Sequence, residues 1–318
     1  MSDDTTRAQD GIGSDAGHDG SGASLSPGTT ARVGADDLIW SRRHRISFRV
    51  YSALMALFVL AYFGFGLLEL MVMWLPGETL LSTFGGEEYP GGLLVHRSHF
   101  MAVGVVAWTI VPAVLVQLRK PWRRVAPMLV AVVMGIAGAI AYGLDGTLAT
   151  WVGEDFILTI LILVLAVLHS RVRDLFRRPN LHPAMIRWGV IGAVPWAVYA
   201  LMQAQLQFRP APGDIHGGIE HWAAAFMMAV AVISCAVIGA SDHDGWRLPA
   251  WTAALASVLF GVHSLVFPGL ASGLSTLWAV AAVVWGVVYA VALVRRSRRT
   301  VAEEGVRGRS TGLAATPT

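Results

Sequence analysis

The sequence predicts an all-α integral membrane protein of about eight transmembrane helices, and three observations predict it. Apolar residues gather in long blocks of about 20, the length that crosses a ~30 Å hydrocarbon core. The chain is 55% hydrophobic and only 14% charged, where a soluble domain carries about 25% charged residues. Cations flank alternate ends of the blocks, as membrane topology requires. Barrel strands are short and alternate in polarity, which these blocks do not.

Residues 1–40 are rich in Gly, Ser, Thr, Ala and Asp, with almost no large apolar residue before Leu38. Such a segment buries too little surface to offset its ordering entropy, so a disordered tail is expected. It lacks the basic-then-apolar pattern of a cleaved signal peptide, which leaves the first span to serve as the signal. Arg42, Arg43, Arg45 and Arg49 then hold the start of that span, about 48–74, in the cytoplasm. The remaining spans are expected at about 97–118, 125–144, 155–170, 186–206, 220–240, 248–267 and 274–294. The fourth is the shortest. Pro112 and Pro195 are the expected helix breaks.

Arg119, Lys120, Arg123 and Arg124 mark one cytoplasmic connection, and Arg171, Arg173, Arg177 and Arg178 mark another. The opposite loops carry Glu78, Glu87, Glu88, Glu154, Asp155, Asp214 and Glu220. Both termini are therefore expected in the cytoplasm, with residues 300–318 a second disordered tail. The basic pI reflects topology, and no nucleic-acid signal is present. The bilayer is the expected partner, and the Ala, Gly, Val and Arg bias points to a bacterial plasma membrane. Cys235 stands alone inside an apolar block, which rules out an internal disulfide and a Cys-based metal motif.

An even number of spans allows a tandem 4+4 repeat, with four-helix units at 41–180 and 181–299. Four ordered matches support it. Arg49 and Glu69 are spaced as Arg187 and Gln207. His99 opens the second span as His221 opens the sixth. Trp122-Arg123 precedes the third as Trp246-Arg247 precedes the seventh. Tyr142-Gly143-Leu144-Asp145 closes the third as Phe260-Gly261-Val262-His263 nears the close of the seventh. Parallel repeats bring equivalent residues to one depth, facing each other.

That arrangement gathers Glu69, His99, Asp145, His221 and His263 in one layer near the outer leaflet, with His96 and His216 at its edge and Gln203, Gln205 and Gln207 nearby. Ionisable groups at membrane depth are costly and face a protein interior or a functional site. His169, His182 and His243 belong to the cytoplasmic side and are expected as surface or interfacial residues. Three readings of the outer cluster follow. Imidazoles on facing helices can ligate haem iron, as haem b, for membrane redox chemistry. Three histidines can hold a bare ion such as zinc, with Asp145 as a further ligand or its support and Glu69 as general base. A polar site between repeats is also how transporters are built, including proton-coupled ones. Glu69 and Asp145 further permit acid-initiated chemistry on a lipid or isoprenoid.

The eight-span 4+4 organisation and the His96-Arg97 pair resemble the haem A synthases. That family carries histidines at the outer side of its fourth and eighth spans, and here Glu154 to Leu165 and Leu274 to Val284 hold none. The chain is not assigned to that family, and a haem would need another pairing among His99, His221 and His263.

Overall fold

The structure, a computed structural model, describes residues 42–84, 93–143, 154–209, 211, 214 and 221–313. The long helices in chain order are α1 (Arg42–Val72), α2 (Arg97–Leu115), α3 (Val125–Gly143), α4 (Glu154–Val167), α5 (Pro183–Phe208), α6 (His221–Gly239), α7 (Arg247–Val266) and α8 (Thr276–Leu313). Among the described residues there is no strand beyond an isolated bridge from Leu181 to Ser241. Six helices are long and apolar enough to cross a membrane, which suggests a bilayer environment. The other two are shorter apolar helices, Val125–Ala141 and Phe156–Val167. Pro112 and Pro195 lie inside α2 and α5 without ending them.

Each half closes on itself. In the first, α1 packs on α2, α2 on α3, α3 on α4 and α4 back on α1. In the second, α5 to α8 repeat that cycle. The halves meet through their middle helices: α6 and α7 both pack on α2 and α3. Helices surrounded by lipid gain little from hydrophobic burial, so close packing and hydrogen bonds between helices must hold them. Both are present. A Cβ on Gly104 of α2 would stand 2.9 Å from the Gly66 carbonyl oxygen of α1, and one on Gly286 of α8 would stand 2.7 Å from the Ala254 carbonyl oxygen of α7. Hydroxyls and an indole tie neighbouring helices: Tyr51 OH donates to Leu161 O at 2.9 Å, Thr159 Oγ1 to Gly135 O at 2.6 Å, Ser257 Oγ to Ala282 O at 2.8 Å and Trp285 Nε1 to Trp188 O at 2.7 Å.

Successive helices run in alternate directions, so the bundle has two polar ends. At one, the α4–α5 linker grips the α6–α7 turn. Arg171 pairs with Asp174 and Asp244, and Arg177 with Asp242 at 2.9 Å. The His182 amide donates to Ala240 O at 2.8 Å. Arg296 of α8 donates to Gly239 O and Ser241 O and lies 3.5 Å over the Trp246 ring. His169 and His243, expected as surface or interfacial residues, are instead 2% and 4% exposed. Pro121 and the Phe48 ring meet the His169 imidazole, and Arg171 and Arg177 of the linker reach the turn that carries His243, long-range contacts that local composition does not encode. Two outward-facing carboxylates, Asp242 and Asp244, thus serve as anchors for the linker arginines.

Candidate metal centre

The other end of the bundle carries His96, His99 and His221. A short 3-10 turn, Leu93–His96, leads into α2 and places His96 one turn ahead of His99. His221 is the first residue of α6. Because α2 and α6 pack together, the three imidazoles converge. One ligand atom from each lies within 4.8 Å of the others, and all three side chains are buried. His96 Nδ1 and His221 Nδ1 are 2.9 Å apart. At that separation one neutral imidazole donates its N–H and the other accepts. The His99 and His221 rings are stacked, with centroids 4.6 Å apart.

Ser272 orients His99, and Gln203 and Tyr199 hold Ser272. Ser272, in the α7–α8 connection, donates its hydroxyl hydrogen to Gln203 Oε1 at 2.9 Å. Its oxygen lies 3.1 Å from His99 Nδ1 and therefore accepts the Nδ1–H. The tautomer so selected keeps its lone pair on Nε2, the form a metal ligand takes. Tyr199 OH holds the Ser272 carbonyl at 2.6 Å. Ser272 has φ 60, a left-handed conformation that a serine adopts at a cost of about 1–3 kcal/mol and that persists where surroundings impose it.

The same face of α5 supports the second arm. Tyr199, Gln203 and Gln207 recur every four residues, share one helix face and are all buried. Gln207 Oε1 accepts the Ala223 N–H at 3.2 Å, satisfying a first-turn donor of α6 two residues from His221. Trp222 Nε1 donates to Asp214 Oδ2 at 2.9 Å, and the Trp222 ring meets His99 edge-on. The i, i+4, i+8 spacing of these polar residues is a signal that the sequence carries. Ser272 had none, being one small residue in a Gly- and Ser-containing loop.

The remaining candidates fall elsewhere. His263 on α7 is fully buried, but it sits among Trp74, Phe260 and Phe267, with ring centroids at 5.5, 6.5 and 5.0 Å. Neither of its ring nitrogens finds a hydrogen-bond partner among the described residues. It is not one of the three whose ligand atoms converge. Glu69 on α1 is 4% exposed and lines a cavity of about 140 Å³ with Met73, Leu93 and Phe100. Phe100 stands between that cavity and the triad, its ring edge-on to His96 and His221 at 6.4 and 5.6 Å. Arg97 donates to Leu75 O at 2.8 Å and covers the Phe267 ring at 4.4 Å, tying α2 to the ends of α1 and α7. Asp145 and His216 lie outside the described residues.

Three buried imidazoles with one of them oriented by a hydrogen bond could hold a metal ion. A tetrahedral ion ~2.0–2.1 Å from each nitrogen sets its ligand atoms ~3.3 Å apart, so the His96–His221 pair would open slightly as the ion replaced their shared proton. No protein-family model, curated protein or solved structure matches this chain.

Proposed function

We propose that this chain is a multi-pass protein of the bacterial plasma membrane that holds a redox-active transition-metal ion on His96, His99 and His221, near the outer leaflet. The observation that carries the reading is the convergence of three buried imidazoles from two helices of different halves. Imidazole sets suit copper, iron, nickel and zinc. Bis-histidine haem is the weaker form of the reading. Axial imidazoles stand on opposite faces of a porphyrin, and rings stacked at 4.6 Å leave no room for a macrocycle between His99 and His221.

Redox chemistry fits better than hydrolysis. A hydrolytic centre needs water at its open position, and His96 and His99 are 0% exposed. Electron exchange needs no such channel. Three neutral ligands in an apolar setting also favour the less charged state of the ion, because a buried charge is costly.

The architecture belongs to the same proposal: eight spans, a parallel 4+4 repeat and both termini in the cytoplasm. The matching helix cycles of the two halves and their junction through α2, α3, α6 and α7 support the repeat. His99 and His221 are then equivalent residues meeting near the axis between the halves. The linker arginines support a cytoplasmic linker end.

The test is elemental analysis and an optical spectrum of protein purified in mild detergent. One transition-metal ion per chain is expected, falling below a tenth of that in H99A/H221A and unchanged in H263A. A wild-type chain that takes up no ion after reconstitution, or a double variant that keeps full occupancy, would rule the site out.

A further inference from the structure

The Glu69 cavity is separate from the three imidazoles and has its own chemistry. Its inner wall is Met73 and Leu93, 5% and 3% exposed. Its mouth is Phe65 and Leu68, which are 56% and 45% exposed on the outer face of α1. In a bilayer that mouth opens sideways, toward lipid. At about 140 Å³ the space is close to an engineered apolar cavity of roughly 150 Å³ that admits benzene. Among the described residues that line it, one polar group interrupts the apolar wall. Glu69 Oε2 is buried and has no hydrogen-bond partner among the described residues. A buried polar atom left unmatched is costly, and a partner inside the cavity would remove that cost.

We propose that this cavity binds the ring of a lipid-soluble aromatic alcohol, a phenol or hydroquinone, entering from the bilayer. The ring fills the space between Phe65 and Phe100, and its hydroxyl meets the Glu69 carboxyl. A ring hydroxyl suits this carboxyl in either protonation state, because it can donate to a carboxylate oxygen or accept from a carboxylic acid. Any tail on the ring leaves through the mouth past Leu68. The proposal does not rest on the metal: the cavity walls and Glu69 owe nothing to the three histidines except the shared neighbour Phe100.

The experiment is calorimetric titration of the purified full chain in detergent with 4-propylphenol and with its methyl ether, 4-propylanisole. The ether has nearly the same shape and lacks the donor. The phenol should bind about 10- to 100-fold more tightly, the range a hydrogen bond to a carboxyl supplies. In E69L that preference should vanish, with the ether binding at least as well as before. L68W, at the exposed mouth, should weaken both probes, and it keeps the test open if E69L does not fold. The H96A/H99A/H221A chain should bind the phenol within about twofold of wild type, so loss of the metal reading leaves this one standing. Equal affinity for phenol and ether in wild type, a preference that survives E69L, or no binding of either probe would overturn the proposal.

Discussion

Ser272 is the residue whose role is read most directly from geometry. Its hydroxyl has one hydrogen, and that hydrogen goes to Gln203. What remains for His99 is an acceptor, which selects the Nδ1–H tautomer and turns Nε2 toward the ligating role. Removing the hydroxyl releases the ring without touching the three candidate ligands. Outer-shell partners of this kind are worth about 10–100-fold in metal affinity. S272A is therefore expected to weaken the ion by that factor, measured by competition with a chelator of known strength. Helical circular dichroism should stay unchanged, because alanine accepts the same backbone conformation as serine. An unchanged affinity would mean that packing alone orients His99.

At the scale of elements, the linker between α4 and α5 carries a histidine that works only when neutral. His169 Nε2 lies 3.0 Å from Pro121 O and donates to it, while Nδ1 accepts the Arg171 amide at 3.2 Å. Both ring nitrogens are committed, one as donor and one as acceptor, so a second proton has no place. Burial, with the Arg171 cation adding to it, lowers the pKa to about 4 from the usual 6.5. Between those values the unfolded chain binds a proton that the folded chain refuses, so stability falls as pH drops from 6.5 toward 4. The loss approaches about 3 kcal/mol at the acid limit. Thermal melts of detergent-solubilised protein at pH 7.5 and 5 should show it, and H169Q should remove this part of the slope. If H169Q melts with the same pH dependence as wild type, His169 is not the group responsible.

This latch also shows where a sequence stops being legible. The apolar blocks announce the eight helices because a long apolar run has few other solutions, and the termini of α2, α6 and α7 fall within about three residues of their expected places. His99 and His221 were visible as polar residues at membrane depth. His96 ranked below His263 because position along a helix says nothing of which face meets a neighbour. The packing of α2 on α6 brings His96 to the triad, and the aromatic surroundings of His263 set it apart. The contact of His169 with Pro121 spans 48 residues and the pairing of Arg171 with Asp244 spans 73, both beyond the reach of any local pattern.

For the whole molecule, the decisive feature is that the triad is shared. His96 and His99 belong to the first ring of helices and His221 to the second, and among the described residues the two rings pack chiefly through α2, α3, α6 and α7. An ion bound there crosslinks the halves. An ion that needs ligands from both rings would bind the assembled protein and not the separated rings, so it should stabilise the assembly by mass action, about 2.7 kcal/mol at a free concentration 100 times Kd. Thermal unfolding should therefore rise with added ion and fall on chelation. The variants sharpen the argument. H221A removes the second half's only ligand from the triad, and H96A/H99A removes both ligands of the first. If the ion acts as a crosslink, either change should abolish the ion-dependent rise as completely as the triple variant does. If H221A instead keeps most of the rise, the ion is held by one half alone and the junction rests on helix packing.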